Sequence, residues 1–220
     1  KTGGGDLILS GISLYSGGTR VESGSLTFTS LASVPVLGTI RAEQNAYVGI
    51  TFNDFVQAGF VDRLNAESFY GHIGLDTAAG RSAPTVFNET LDLSSLANYA
   101  GIGTRTSARI TGSIQVGAGR DYRFGGGAGT LYVESDLTSP GSNIDLRSAH
   151  GSPLSLILRG NNTFGGHINV LNSVLVLDGA HALPGTGTQL LNLNGPGYAG
   201  YTENHGGTAG GFLSRLGTIG

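Results

Sequence analysis

The chain has 220 residues, of which 39 are glycine and only 12% are charged. This low charge excludes a charged disordered tail, a coiled coil and a helical bundle, and a formal net charge of −3 provides no field for nucleic acid or an anionic membrane. No apolar run approaches the roughly 18 residues that a membrane span needs. Cysteine is absent, which excludes disulfides, thiolate metal sites and a cysteine nucleophile.

Nine short runs alternate apolar and polar residues, which is the pattern of half-buried β-strands. They cover residues 6–10, 19–21, 25–29, 109–114, 121–124, 130–133, 155–158, 167–170 and 174–177. Turn-forming Gly, Asn, Ser and Thr separate them. Strands without long helices are compatible with an antiparallel sandwich or barrel, and also with a β-solenoid.

One segment departs from the strand pattern. Its apolar residues Phe55, Val56, Phe60 and Leu64 have helical spacing and follow a candidate helix cap. We therefore predict a short lateral helix near residues 54–67.

The chain also matches itself at a long offset. The matches join residues 7–11 to 156–160, 47–53 to 198–204, and 60–64 to 212–216, in the same order along the chain. A solenoid explains such recurrence, because each coil stacks on a similar neighbour. We predict an all-β, right-handed parallel β-helix that is continuous over residues 1–220. Its first repeat covers 1–149 and a partial second repeat covers 150–220, as expected for a section of a longer array.

A motif of leucine, glycines and an aromatic residue begins both repeats. In the first it comprises Leu9, Gly11, Tyr15, Gly17, Gly18, Val21, Gly24 and Leu26, and in the second Leu158, Gly160, Asn162, Phe164, Gly165, Gly166, Val170 and Leu175. Asn162 is also a candidate for a stacked asparagine ladder in a corner. The first copy resembles the autotransporter-associated β-strand repeat, and the second resembles it with one residue deleted. The resemblance implies an extracellular bacterial β-helix that serves as a stalk, adhesin or surface scaffold, without catalytic residues.

An enzyme on the same solenoid needs clustered carboxylates, either a pair for glycoside hydrolysis or several that bind Ca²⁺. The closest acids in sequence are Glu134 and Asp136, which share one face of a strand, and coiling can also bring Asp121 beside Asp145. The histidines lack metal-ligand spacing. We expect no metal, no cofactor and no enzyme, with a polysaccharide lyase or glycosidase as the least favoured alternative.

The favoured hypothesis is a structural scaffold that is secreted or lies on the bacterial cell surface and assembles into a filament, stalk or sheath. Its expected partners are other copies of the chain, end to end or laterally, and neither nucleic acid nor a membrane span is expected. The alternative is an adhesin whose flank binds glycans or a neighbouring cell. Tyr198 and Tyr201 are its candidate surface contacts, and Tyr47 and Tyr70 can share that flank.

Overall fold

The computed structural model describes residues 1–52, 59–96, 100–148, 153–185, 190–195 and 198–201, and the backbone of 213–216. Its strands are short and follow one another with little helix. In chain order they are β1 Asp6–Leu9, β2 Thr19–Val21, β3 Gly24–Phe28, β4 Ile40–Ala42, β5 Ala46–Ile50, β6 Leu64–Phe69, β7 His72–Leu75, β8 Thr85–Phe87, β9 Leu91–Asp92, β10 Gly101–Gly103, β11 Ser107–Ile110, β12 Ile114–Gln115, β13 Tyr122–Gly125, β14 Thr130–Val133, β15 Ile144–Arg147, β16 Ser155–Leu158, β17 Ile168–Leu171, β18 Val174–Leu177, β19 Leu190–Asn194, β20 Tyr198–Tyr201 and β21 Leu213–Leu216. Two single turns of 3-10 helix, Leu31–Ser33 and Val61–Arg63, complete the regular structure of the described residues.

The strands form a parallel β-solenoid, as predicted. Ten of them make one sheet in the order β1-β3-β5-β7-β10-β13-β15-β17-β19-β21, and six make a second in the order β20-β18-β16-β14-β11-β8. Smaller sheets of three strands (β2-β4-β6) and two strands (β12-β9) form a further side. All strand pairs are parallel, and a coil takes from 19 residues, where Asp6 pairs with Ser25, to 29, where His72 pairs with Gly101.

One residue from each strand of the ten-stranded sheet belongs to a single apolar register column, which we call the core column; for β21 the backbone register alone gives the position. It contains Leu7, Leu26, Val48, Ile73, Ile102, Phe124, Leu146, Val170, Leu193 and Leu216, each in register with the next. The members from Leu26 to Val170 are 0–2% exposed. Burying such a side chain contributes roughly 1.5–3 kcal/mol, so the column is a principal source of stability.

Glycine permits the sharp corners between strands. Gly24 begins β3 with φ of 72°, in the left-handed region, and a Cβ there would lie 2.6 Å from the Gly3 carbonyl oxygen. A larger residue at this position would be strained and would also overlap the preceding coil.

The predicted lateral helix is not present where the structure describes its segment. Val61–Arg63 is a 3-10 turn and Leu64–Phe69 is strand β6, while residues 53–58 lie outside the described residues. β6 pairs with β4 through an irregular register, and its terminal Leu64 and Phe69 are buried in the core. Strand pairing and burial of these two ends therefore override the helical spacing of the apolar residues.

The two copies of the leucine–glycine motif lie on different sheets. Residues 7–11 begin in β1 of the ten-stranded sheet, whereas residues 156–160 begin in β16 of the six-stranded sheet. What the copies share is a local order of strand, corner, strand, turn and strand. The repeat of 1–149 and 150–220 stays a prediction.

Asn162 links three consecutive coils. Its side-chain Oδ1 accepts a hydrogen bond from the backbone N–H of Leu137 at 2.9 Å, and its Nδ2 donates to the carbonyl of Ala182 at 2.8 Å. These partners are backbone groups, so Asn162 acts as a bridge and not as a member of a ladder of asparagine side chains. The residue is 3% exposed, and its two partners are fully buried.

We expect Asn162→Ala to lower the free energy of unfolding by about 1–3 kcal/mol, because it leaves a buried N–H and a buried carbonyl without partners. Urea unfolding measures the change. Asn161→Ala is the matched control, since the side chain of Asn161 is exposed. Equal stability of the two variants would contradict the bridging role.

Candidate functional site

Beside the core column runs a second register column of the ten-stranded sheet, which we call the outer column. It contains Asp6, Ser25, Tyr47, His72, Gly101, Arg123, Asp145, Asn169, Asn192 and Arg215. Neighbouring residues of a strand face opposite sides, so this column lies on the face away from the core. For Arg215 the backbone register alone gives the position. No member is aliphatic, in contrast to the core column.

The most buried polar cluster of the described residues lies on this outer face. The Tyr47 hydroxyl donates to Asp76 Oδ1 at 2.7 Å, although Tyr47 is only 1% exposed. Its ring lies over Gly74, where a Cβ would overlap it, and beside Gly49. Two glycines on adjacent strands thus provide the space for a tyrosine that lies flat against the sheet.

Burial determines the titration of this pair. It raises the pKa of the Tyr47 hydroxyl well above its usual value, and the negative charge of Asp76 adds to the shift. Burial also raises the pKa of the Asp76 carboxyl, while hydrogen bonds from the Arg105 backbone N–H at 2.8 Å and from Tyr47 act in the opposite direction. The donors therefore offset part of the effect of burial, and the pKa of Asp76 remains above its ordinary value.

Arg105 connects this pair to the first two coils. Its Nη1 donates to Ser25 Oγ at 2.7 Å, and its Nη2 makes an ion pair with Asp6. Ser25 Oγ in turn donates to Asp6 Oδ1 at 2.6 Å, and this hydrogen bond lowers the pKa of the Asp6 carboxyl. One arginine thus joins residues that are 80 and 99 positions away in the sequence.

A cavity of about 330 Å³ opens at this cluster. It is lined by Gly4, Asp6, Gly24, Ser25, Tyr47, Arg105, Gly127 and Ala128. The charged side chains in this lining, Arg105 and Asp6, are already paired with each other. This arrangement holds β1, β3 and β5 against the loop that carries Arg105, which is a structural role.

A second charged cluster runs along the six-stranded sheet and forms an ion-pair ladder. Glu134 accepts hydrogen bonds from Arg109 Nη2 at 2.6 Å and Arg159 Nη1 at 3.0 Å, and Arg159 Nε also reaches Asp178 at 2.6 Å. The Arg159 guanidinium lies 4.8 Å from the centre of the Tyr132 ring. The hydrogen bond from Arg109 is the main cause that lowers the pKa of the Glu134 carboxyl.

The acids that the sequence singles out each have partners of their own in the structure. Glu134 is committed to the ion-pair ladder, while Asp136 accepts from the backbone N–H of Asn161 at 2.7 Å. Asp121 and Asp145 lie on neighbouring coils but have separate partners.

Asp121 accepts hydrogen bonds from the backbone and side-chain N–H groups of Asn143, whereas Asp145 pairs with Arg147 at 2.6 Å. Among the described residues, no group of three or more histidine or acidic side chains is placed to hold a metal ion.

The motif residues have mainly a packing role. Six of them, Val21, Leu26, Leu158, Phe164, Val170 and Leu175, are buried. Tyr15 is 40% exposed, and its hydroxyl shares a hydrogen bond with Thr19 Oγ1.

Of the two candidate contact tyrosines, Tyr198 is 60% exposed on β20, and the side chain of Tyr201 lies outside the described residues. Tyr47 is buried and does not belong to an exposed flank.

Sequence reasoning missed the cluster of Arg105, Asp76 and Tyr47. No short motif signals it, because its members are 29 positions apart or more. The one usable signal was the coil length. Residues about 19–29 positions apart share a register column, and this relation would have aligned Asp6, Ser25 and Tyr47.

The fold defines the class of the protein as a parallel β-solenoid with well-packed polar clusters on its outer faces. Residues 1–28 match the family model described as passenger-associated-transport-repeat. Together these findings support an autotransporter passenger-like surface protein, with a repeat that implies secretion or the cell surface and suggests a structural or non-catalytic role. The comparisons with curated proteins and with solved structures returned no match. In the described residues, no helix has the length and apolarity to cross a membrane.

We expect Tyr47→Phe to lower the free energy of unfolding by about 1–3 kcal/mol at pH 8, because the Asp76 carboxylate loses a donor. The loss raises the folded-state pKa of Asp76 further above its unfolded value. The penalty should therefore grow as the pH rises through this range and be smaller at pH 4, where a larger fraction of Asp76 is protonated than at pH 8. Denaturant unfolding at both pH values tests this. Tyr15→Phe, at an exposed tyrosine, should show no such pH dependence.

We expect Glu134→Gln to destabilise the protein at pH 7 and to have less effect at pH 3. The folded-state pKa of Glu134 is lowered, so its contribution is present above the unfolded value of 4.5 and is lost as the pH falls through the folded value. Thermal unfolding at both pH values measures the difference between variant and parent. Glu67→Gln, at an exposed side chain, is the control. A Glu134→Gln effect that is the same at both pH values would contradict the ion-pair ladder as its source.

Proposed function

We propose that this chain is a structural segment of a secreted or cell-surface rod, and that copies stack end to end into a filament or stalk. Its role is non-catalytic. The observation that carries the proposal is what stands at the two ends of each register column of the ten-stranded sheet. The core column has a leucine position at both ends, and the outer column has an aspartate position at one end and an arginine position at the other.

The outer strands of that sheet are β1 and β21. An edge strand has one row of backbone N–H and carbonyl groups that can pair with a further strand, which belongs either to another coil of a longer chain or to a second copy. β1 also exposes apolar side chains, with Leu7 at 41% and Ile8 at 62%. Such an edge favours pairing with a parallel strand that has an apolar residue in register with Leu7.

The other edge supplies such a strand. The core column ends at Leu7 on β1 and at Leu216 on β21, and the outer column ends at Asp6 and Arg215. Pairing β21 of one copy with β1 of the next, in the register used within the sheet, aligns Leu216 with Leu7. The same pairing aligns Arg215 with Asp6.

An arginine and an aspartate already occupy adjacent positions of the outer column. Arg123 on β13 and Asp145 on β15 are register partners, with 3.9 Å between Nη1 and Oδ2. A contact of β21 with β1 would place Arg215 beside Asp6 in the outer column. Asp6 would then have two arginine neighbours, Arg105 and Arg215, as Asp145 has Arg123 and Arg147. Because the two surfaces are different, the contact is heterologous and continues as an open chain of copies unless rotation closes it.

Exposed apolar side chains concentrate at the β1 end. Of the ten large apolar residues that are exposed in the described part of the chain, eight lie within the first 37 residues: Leu7, Ile8, Ile12, Leu14, Tyr15, Leu31, Val36 and Leu37. Apolar surface that is grouped in this way is typical of an interaction site. It adds to the favourable free energy of docking a second copy at this end.

We expect the purified 220-residue chain to associate in a concentration-dependent, open-ended series in sedimentation velocity, with filaments visible by electron microscopy. Leu7→Lys should abolish the association, because it places a charge at the end of the core column. Val86→Lys is the matched control, since Val86 has a similar exposure of 37% but lies on β8 of the other large sheet.

A parent chain that remains a single monomeric species at millimolar concentration would overturn end-to-end stacking. Equal loss of assembly in Leu7→Lys and Val86→Lys would also overturn it, because the effect would then come from added charge and not from the β1 edge. Circular dichroism confirms that both variants keep the parallel-sheet fold.

A further inference from the structure

A second open cleft lies at the corner of the solenoid where three successive coils turn into the ten-stranded sheet. We call it the corner cleft. It has a volume of about 490 Å³ and is lined by Glu22, Glu43, Gln44, Asn45 and Tyr70. This volume is within the range of roughly 300–1,000 Å³ for small-molecule sites.

The lining residues come from three stacked corners. Glu22 follows β2, residues 43–45 join β4 to β5, and Tyr70 joins β6 to β7. In the middle corner the Ala46 N–H donates to the Glu43 carbonyl at 2.8 Å and closes a turn. That turn presents Gln44 and Asn45, which are both exposed.

Hydrogen bonds fix the next corner, between β6 and β7, against this turn. The Tyr70 N–H donates to the Ala42 carbonyl at 2.7 Å, and the Tyr70 hydroxyl donates to the Glu67 carbonyl at 2.7 Å. A Cβ at Gly71 would lie 2.6 Å from the Ala46 carbonyl oxygen, so glycine permits the close approach. The half-buried Tyr70 ring is therefore held as one wall of the cleft before any ligand arrives.

Arg20 positions the two acids. Its Nη2 lies 3.0 Å from Glu43 Oε1 and its Nε 3.5 Å from Glu22 Oε1. The two carboxylates remain 44% and 47% exposed, so each keeps oxygen lone pairs that face solvent. Arg20 and its register partner Arg41 lie on the adjacent strands, whereas the side chains that line the cleft are two carboxylates, two amides and a tyrosine.

We propose that the corner cleft binds an uncharged saccharide. Saccharide hydroxyls donate to carboxylate and amide oxygens and accept from amide N–H groups, and Glu22, Glu43, Gln44 and Asn45 provide both kinds of group. The apolar C–H face of a pyranose ring packs on the face of an aromatic ring, which Tyr70 supplies. Carboxylated sugars are disfavoured because Glu22 and Glu43 repel them.

This binding is independent of end-to-end stacking, because none of the five lining residues belongs to β1 or β21. It would give the rod a lateral contact with glycans at a defined corner. The geometry places that contact near Tyr70 and not at Tyr198, which lies on β20 of the six-stranded sheet.

The test uses the whole 220-residue chain on an array of neutral, amino and uronic-acid oligosaccharides, followed by calorimetric titration of the best neutral sugar. We expect retention on neutral sugars and none on uronic acids. Tyr70→Ala should weaken binding by about tenfold or more, whereas Tyr70→Phe, which keeps the ring and loses only the hydrogen bond to Glu67, should weaken it much less. Gln44→Ala should also weaken binding, because it removes one donor and one acceptor.

Tyr198→Ala is the matched control, since it removes an exposed tyrosine outside the cleft. The proposal is overturned by absence of binding to every neutral sugar at millimolar concentration, by retention on uronic acids alone, or by equal losses in Tyr70→Ala and Tyr198→Ala. Sedimentation velocity of Tyr70→Ala should match the parent, so that a failure of glycan binding is distinguished from a failure of end-to-end stacking.

Discussion

Parallel, in-register stacking of the core column is the constraint on which the rest of the molecule depends. Each coil contributes one apolar side chain to a position between those of its two neighbours, and backbone hydrogen bonds join the strands along the same axis. A shift of one residue would turn every side chain of a strand to the opposite face. The coils differ in length by up to ten residues, yet the register is kept because the extra residues enter the corners. Corners are therefore where this fold can vary without loss of its core.

The outer faces carry polar groups in two different arrangements. On the ten-stranded sheet, Gly49 and Gly74 leave room for Tyr47, which covers them and shields Asp76 from solvent. On the six-stranded sheet, the ion-pair ladder stays partly exposed and alternates positive and negative side chains along the axis. In both arrangements the charges are paired within the chain, so these faces stabilise the rod. Among the described residues, the apolar β1 end and the corner cleft are the surfaces to which the two proposed contacts are assigned.

A passenger-type repeat at residues 1–28 and a solenoid agree with an autotransporter passenger-like surface protein. A stack of similar coils gains length without a larger core cross-section. Each added coil buries the apolar face of the coil before it. Within residues 1–220, β1 is an outer strand of its sheet and exposes apolar side chains, and the end-to-end stacking proposed above rests on this strand. Length, edge pairing and corner variation thus follow from one mode of packing.

The sequence by itself determined that the chain is all-β, because alternation within runs such as 155–158 and 174–177 reports local burial directly, and the recurrence of similar segments along the chain favoured a solenoid over a sandwich or barrel. It did not predict strands β5, β7 and β10, since glycines at Gly49, Gly74 and Gly101 interrupt their alternation. It predicted a helix over the segment that forms β6, because helical spacing is a local signal and the pairing of β6 with β4 is not. Only the tertiary structure decided which strands share a register column, and therefore that Arg105 meets Asp6 and that Tyr70 lines a cleft with Glu43. Such contacts depend on the length of every intervening coil, and no short stretch of sequence contains that information.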